Sequence, residues 1–222
     1  MKPHSKLVFA SFALLAVAGP LTASAEPPIQ VNACVEVYQV SQTQSMAIQK
    51  VFSQGSDTER VNLLLTLHKS PPAVARVITV CQGSCPLGQR SVIISVREYR
   101  YGTRFRTENG VDIPTAFETR DIGCTMELEV SLGEKEGTFS ILAGIASTEL
   151  ASPASRVDSK GEQQRGSKPP VFTTAEIKTQ LQMVAGIPKL IGTYAPYKQD
   201  KAASDLTADV LRLVVLTIRP EK

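Results

Sequence analysis

Few residues in this chain have the types that chemistry needs. The 222 residues include two histidines, four cysteines and no tryptophan. His4 lies in a leader-like N-terminus, which leaves His68 as the single imidazole of the remainder. A Ser-His-Asp relay would have to use it. It falls on the apolar side of a short helical pattern, beside Pro71-Pro72, where an imidazole interacts well with a helix C-terminus. Its expected role is structural. No Gly-x-Ser-x-Gly elbow is present. Metal sites built on two or more histidines are excluded by count. "GEKEG" and "SKGEQQRG" lack the Gly-x4-Gly-Lys spacing of a phosphate loop. Glu127 and Glu129 project from one face of an alternating strand, about 6.5–7 Å apart. Glycosidase carboxylates fall in that range, but those enzymes use an aromatic-lined cleft. The pair reads as a solvated sheet face, with a hydrolase as a third-rank reading. No enzyme activity and no cofactor are expected.

The cysteines are Cys34, Cys81, Cys85 and Cys124. An even count in an exported chain favours disulfides, and three pairings are possible. Cys81 and Cys85 flank Gln-Gly-Ser, which suggests a local bridge across a turn. Cys34 and Cys124 would then staple the first strand to a later one. A four-Cys zinc site would need two close pairs, and only one pair is close.

"REYRYGTRFR", residues 97–106, is the most conspicuous surface. Tyr99, Tyr101, Thr103 and Phe105 can share one face of a strand. Arg100, Arg104 and Arg106 can share the other, with Arg97 leading the run. One reading is a strip that binds an acidic partner or glycan through charge and stacking. The simpler reading is a strand with aromatics inward and arginines in water, where they discourage edge pairing.

These residues need elements to hold them. The first 25 residues read as a secretory signal peptide. Lys2 and Lys6 precede an apolar run from Leu7 to Ala18, and Ala23-Ser24-Ala25 suits cleavage. The run is short for a membrane span, which takes about 20 residues. Removing 25 of the 222 residues leaves 197, and losing two lysines takes the net charge from +3 to +1. A chain of that length suits one domain, residues 26–222. Near-neutral charge gives no reason to seek nucleic acid. No later segment is long and apolar enough for a transmembrane helix.

"VNACVEVYQV" reads as a strand. A helix with Ala47, Ile48, Val51 and Phe52 on one face follows, ending at Gly55. Ser56 and Glu59 form a capping box for a second helix with Val61, Leu64, Leu65 and His68 on one face. Strands dominate thereafter: 74–80, 90–101, and 122–132, with Val111 to Pro114 turn-like. In 122–132, Cys124, Met126, Leu128, Val130 and Leu132 alternate with polar residues, so one face is buried. "TFSILAGIA" is its hairpin partner after a polar turn at Glu134 to Gly137. Residues 147–170 are polar and proline-containing and read as a flexible loop. Ile177 to Met183 alternates again, "KLIGTY" follows a turn, and 196–208 is a polar loop. "DVLRLVVLTIRP" is apolar on both faces and belongs at the centre of a covered sheet. The fold class is mainly β (α+β): a two-layer antiparallel β-sandwich-like domain with two short N-terminal helices.

The order of these motifs resembles the core domain of the bacterial secretins of type II and III secretion and type IV pili. Gly88-Gln89 precedes a strand carrying Glu98-Tyr99. Ile122-Gly123 precedes the alternating strand 124–132. A Thr-rich strand with Thr173, Thr174 and Thr179 leads to a hairpin with Gly186 and Gly192. The resemblance covers roughly residues 31–219. It implies a non-enzymatic envelope protein, a structural or accessory component of a pilus or secretion apparatus, in the periplasm or at the outer membrane of a Gram-negative-type envelope. It implies protein partners there and makes an oligomer possible. The mature length leaves no room for the family's preceding ring domains, and "TYAPYKQDKAASD" replaces its second glycine turn. A channel-less relative is therefore expected. The alternative is a monomeric, immunoglobulin-like β-sandwich that binds a protein or glycan.

Overall fold

The computed structural model describes residues 29–109, 111–152, 155–157, 163–196 and 210–221. The leader and residues 197–208 of the expected polar loop lie outside them.

Strand β1 (Gln30–Ser41) runs directly into helix α1 (Gln42–Gln54). The junction is sharp because Ser41 is an N-cap. Its hydroxyl accepts the Gln44 N–H at 3.2 Å, and the Gln44 side chain accepts the Ser41 N–H at 3.3 Å. Helix α2 (Asp57–Lys69) starts with the expected box of Ser56 and Glu59. Asp57 and Glu59 sit at its positive end, His68 and Lys69 at its negative end. The buried faces are narrower than the sequence pattern suggests. They comprise Ser45, Ile48 and Phe52 in α1, and Leu64 and Leu67 in α2. Leu65 is exposed.

Strands β2 (Ala75–Pro86), β3 (Arg90–Glu108), β4 (Val111–Leu132), β5 (Thr138–Ser152), β6 (Ser155–Val157), β7 (Gln163–Lys168), β8 (Val171–Val184), β9 (Lys189–Tyr194) and β10 (Val210–Pro220) follow among the described residues. They form two four-stranded sheets, ordered β2-β1-β10-β9 and β3-β4-β5-β8, plus the pair β6-β7. The pairings are antiparallel. The tight corner at Leu87-Gly88 carries the chain from one sheet to the other. There Gly88 N–H donates to Val130 O at 2.7 Å, and Gly88 has a φ of 73°, which glycine tolerates without strain.

The core lies between the sheets. Val31, Ala33, Val35 and Val37 of β1, with Val214, Leu216 and Ile218 of β10, face Cys124, Met126, Leu128 and Val130 of β4 and Ile141 and Ile145 of β5. The other faces of β1 and β10 bury Tyr38, Val40, Leu213 and Val215 beneath Ile48, Phe52, Leu64 and Leu67. Strand β10 is thus central and covered on both sides, as its composition requires. The fold is a two-layer β-sandwich with two helices outside one layer.

Four expectations need correction. Leu132 is 67% exposed, so the alternating strand buries four apolar side chains rather than five. At about 1.5–3 kcal/mol each, these four contribute at most about 6–12 kcal/mol. Residues 111–114 are the start of β4, not a turn. The turn is one step earlier, where Asn109 takes a left-handed φ of 51° between the paired Glu108 and Val111. Residues 147–170 are not a plain loop. They hold the end of β5, continued by its pairing with β8, and the hairpin β6-β7. Backbone pairing needs no apolar period, so the polar sequence concealed it. Residues 81–85 lie within β2 rather than in a turn.

Truncating Met126 to Ala should cost about 2–5 kcal/mol in denaturant unfolding, because the cavity is sealed between two sheets. Leu132→Ala should stay within about 0.5 kcal/mol. Equal costs would refute the assignment of the buried face.

Candidate functional site

On the N-terminal side of Gly123, β4 has no strand partner but β3 among the described residues, because its pairing with β5 begins at Gly123↔Thr148. Residues 97–108 and 111–122 therefore form a two-stranded arm about 40 Å long by strand rise. Gly123 makes the departure possible. Its φ is 136°, and a Cβ there would lie 2.3 Å from Ser95 O. Only glycine fits.

The arm carries the run 97–106, but not with the expected sides. Tyr99 and Tyr101 are half-buried and stacked at 6.3 Å, and both meet Phe172 of β8, at 5.9 and 5.7 Å. Arg120 lies over the same Phe172 ring at 5.2 Å. The ladder is bulged at Gly102 to Phe105, and the Phe105 ring sits where a Gly102 Cβ would point. The bulge thus moves Phe105 off the side of Tyr99 and Tyr101. Arg97, Arg100, Arg104 and Arg106 are exposed. Arg100 covers Phe117 at 4.3 Å, and Arg106 pairs with Glu108 at 2.8 Å. The aromatic half of the strip is packing; the arginine half faces solvent.

At the foot of the arm the two sheets splay into a cleft of about 700 Å³. Arg76 of β2 and Arg97 of β3 stand at its rim, and Arg212, Glu149 and Gln39 line it. Arg212 Nε and Nη2 donate to the two Glu149 oxygens at 2.9 and 2.6 Å, a bidentate fork. Arg212 Nη1 also donates to Gln39 Oε1. Tyr194 O–H donates to Glu149 Oε1 at 3.0 Å. Burial alone would raise the Glu149 carboxyl, but Arg212 and then Tyr194 outweigh it and hold the group below the usual carboxylate range. Burial pushes the Tyr194 phenol up to about 12. This network was not anticipated. The signal was a lone arginine in "VLRLVVL", since a charge in a strand covered on both faces needs a buried partner.

A second polar cluster ties α2 to the sheet. His68 Nε2 lies 2.6 Å from Glu36 Oε1, and His68 Nδ1 lies 3.0 Å from Leu64 O. Tyr38 Oη is 3.1 Å from His68 Nε2. Burial, then Glu36, raises the Tyr38 phenol. His68 is a positioning group here, holding a helix end over β1. Cys34 lies nearby, and burial followed by Glu36 pushes its thiol up to about 11, so it is a poor nucleophile. Glu127 and Glu129 project from the outer face of the second sheet, and Arg90 pairs with Glu127 at 2.5 Å. The Arg90 hydrogen bond lowers the Glu127 carboxyl. A paired, exposed carboxylate is no acid catalyst.

The expected disulfide pairing is not what the structure brings together. No disulfide joins any of the four cysteines in this structure. Cys81 and Cys85 lie on one face of one strand, about 13 Å apart by strand rise, against a Cα span of about 4.4–6.8 Å for a bridge. Cys34 points to the helix side of β1, away from Cys124 in the intersheet core. Among the described residues no group of three or more His, Cys, Asp or Glu side chains could hold a metal ion. No helix among them is long and apolar enough to cross a membrane.

Arg212→Met should destabilise by about 3–5 kcal/mol, because it strands the Glu149 carboxylate. The Glu149 group also fixes a pH dependence. Its folded pKa is depressed, so its contribution is complete above the unfolded carboxylate range and is lost as pH falls through the folded value. The stability gap between wild type and Glu149→Gln, measured by urea unfolding, should be widest near pH 7 and shrink below about pH 4. A gap that does not change with pH would contradict the ion-pair reading.

No protein-family model matches the sequence, and no curated protein matches it. Solved structures to which this chain is similar include secretins. The secretin-domain β-barrel of InvG from the Salmonella SPI-1 injectisome shares 13% identity at a TM-score of 0.45. That match covers 88% of this chain and 64% of InvG. The V. cholerae type IV competence pilus secretin PilQ shares 8% at 0.40, over 88% of this chain and 62% of that one. The type II secretin GspD of enteropathogenic Escherichia coli shares 9% at 0.41, over 89% and 70%. The chain thus spans about two thirds of the length of these chains.

Proposed function

We propose that this protein is a non-enzymatic building block of a cell-envelope assembly, a structural or accessory component of a pilus or secretion apparatus. The observation that carries the proposal is the free edge of β3. Val92, Ile94 and Val96 stand in a row on its outer face, 57%, 64% and 39% exposed. An edge strand with an apolar row is a template for another chain, and monomeric proteins blunt such edges with charge. Among the described residues the opposite edge of the same sheet, β8, also has no further strand beside it.

Strand counting says how copies could add. Each sheet has four antiparallel strands, so the first and last run in opposite directions. Setting β3 of one copy beside β8 of the next keeps the antiparallel alternation. The same step sets β2 beside β9 in the other sheet. Both sheets then continue together, a head-to-tail contact of the kind that closes into rings. The arm would project from each copy. The order of sequence motifs supplies the kind of machine, and the signal-like leader supplies export. A free binding module is the competing reading, drawn from the exposed Arg97, Arg100 and Arg104.

Sedimentation and chemical cross-linking of the envelope-extracted protein should show multimers that co-purify with other envelope proteins. Ile94→Lys should convert them to monomer while shifting monomer stability by no more than about 0.5 kcal/mol. A wild type that stays monomeric at all concentrations, and binds a ligand column that Arg100→Glu with Arg104→Glu abolishes, would replace this reading with the binding module.

A further inference from the structure

The one cysteine pair that the fold brings together is Cys81 with Cys124. Both are fully buried, in the same core between the two sheets. Backbone register places them without reference to the thiols. Gly83 of β2 lies under Ile93 of β3, close enough that a Gly83 Cβ would meet the Ile93 side chain at 3.0 Å. The chain reverses at Gly88, so two residues back along β2 corresponds to two residues forward along β3. Cys81 therefore lies by Ser95, and the strand partner of Ser95 on β4 is Cys124. The thiols agree with that placement. Cys81 Sγ lies 3.5 Å from Ile93 O, and the Cys81 and Cys124 side chains interact directly.

We propose that Cys81 and Cys124 are the protein's single disulfide site, an intersheet bridge that joins edge strand β2 to β4 beside the root of the arm. The other cysteines are excluded by place. Cys85 lies four residues along β2 from Cys81, and Cys34 is on the far face of β1. The oxidant is an external disulfide, such as that of a thiol–disulfide oxidoreductase or oxidised glutathione. A thiolate of the pair attacks it and expels one thiol. The second cysteine then attacks the mixed disulfide and expels the other. Two thiol protons and two electrons leave the pair, and the oxidant becomes two thiols. Both sulfurs are sealed in the finished sandwich, so the exchange takes place while the sheets are still closing.

In the closed sandwich the Cys81 thiol senses its neighbour directly. The Cys124 side chain is the largest influence on it, and with the Ser95 and Met126 backbone it lowers the Cys81 proton affinity despite burial. The bridge would fix the sheets together where they begin to splay, next to the cleft that holds Arg212 and Glu149.

The test is a thiol count and a linkage map. The full chain, exported or refolded in a glutathione redox buffer, is denatured in acid, alkylated and digested with trypsin. Two free thiols per chain are expected, with peptide Val77–Arg90 linked to Asp121–Lys135. Cys85→Ser should keep that link and leave one free thiol. Cys81→Ser should lose the link and leave three. Reductant should lower the wild-type Tm by about 10 °C and leave Cys81→Ser unmoved. Four free thiols in the wild type, none, or a link that survives Cys81→Ser and disappears with Cys85→Ser would each overturn the assignment. The result does not depend on whether the protein assembles, so the two proposals fail separately.

Discussion

Everything in this protein depends on burying one face of each sheet against the other. The inner faces supply Val, Leu, Ile and Met in alternation, and period-two geometry leaves no freedom in register once those side chains leave water. A slip of one residue would expose Met126, Leu128 and Val130 together. Because the register is fixed by hydrophobic burial, the polar features are fixed as well. Glu127 and Glu129 must face out, Ser95 must lie opposite Cys124, and Arg212 must point into the space between the sheets, beside Gln39.

The same sidedness decides how much could be read from residues alone. Strand 124–130 was legible because each polar residue there separates two apolar ones. Strand β10 was legible because it has almost no polar face. The arm was not. Its aromatics alternate as a core strand's would, yet beyond Gly123 there is no second sheet to receive them. The bulge at Thr103 then breaks the alternation that made the pattern look simple. Cys81 to Cys85 was misread for a different physical reason. Gly83 looks like a turn residue, but it is required because Ile93 of the facing sheet occupies the space its side chain would fill. Glycine demanded by close approach and glycine demanded by a turn are identical in sequence.

Charges inside apolar strands were the clue with the most unread content. Glu36 in "CVEVYQV" and Arg212 in "VLRLVVL" sit where desolvation is costly, and each is matched from a distant part of the chain, by His68 and by Glu149. Neither partner can be named from spacing, because the pairs span 32 and 63 residues. The two pairs have different settings. His68 with Glu36 anchors a helix end to the outside of one sheet. Arg212 with Glu149 spans the two sheets at the end where they diverge, where apolar contact gives way to the cleft. Hydrogen bonding there replaces packing as the link between layers.

A sandwich of two open sheets has four edge strands, and here they fall on two sides of the molecule, β2 with β3 and β8 with β9. Val92, Ile94 and Val96 on one side have no charged residue among them, while the outer face of β8 offers Glu176, Lys178 and Gln180. Two copies pairing β3 to β3 would cover the apolar row once and stop, leaving both β8 edges bare. In the proposed assembly, head-to-tail addition would cover an apolar edge with a polar one at every step and would leave none open once a ring closed. The asymmetry between the two sides is what a repeated contact needs, since each copy must offer two different surfaces. That asymmetry is set by which strands come first and last in each sheet, and so by the same burial that fixes the core.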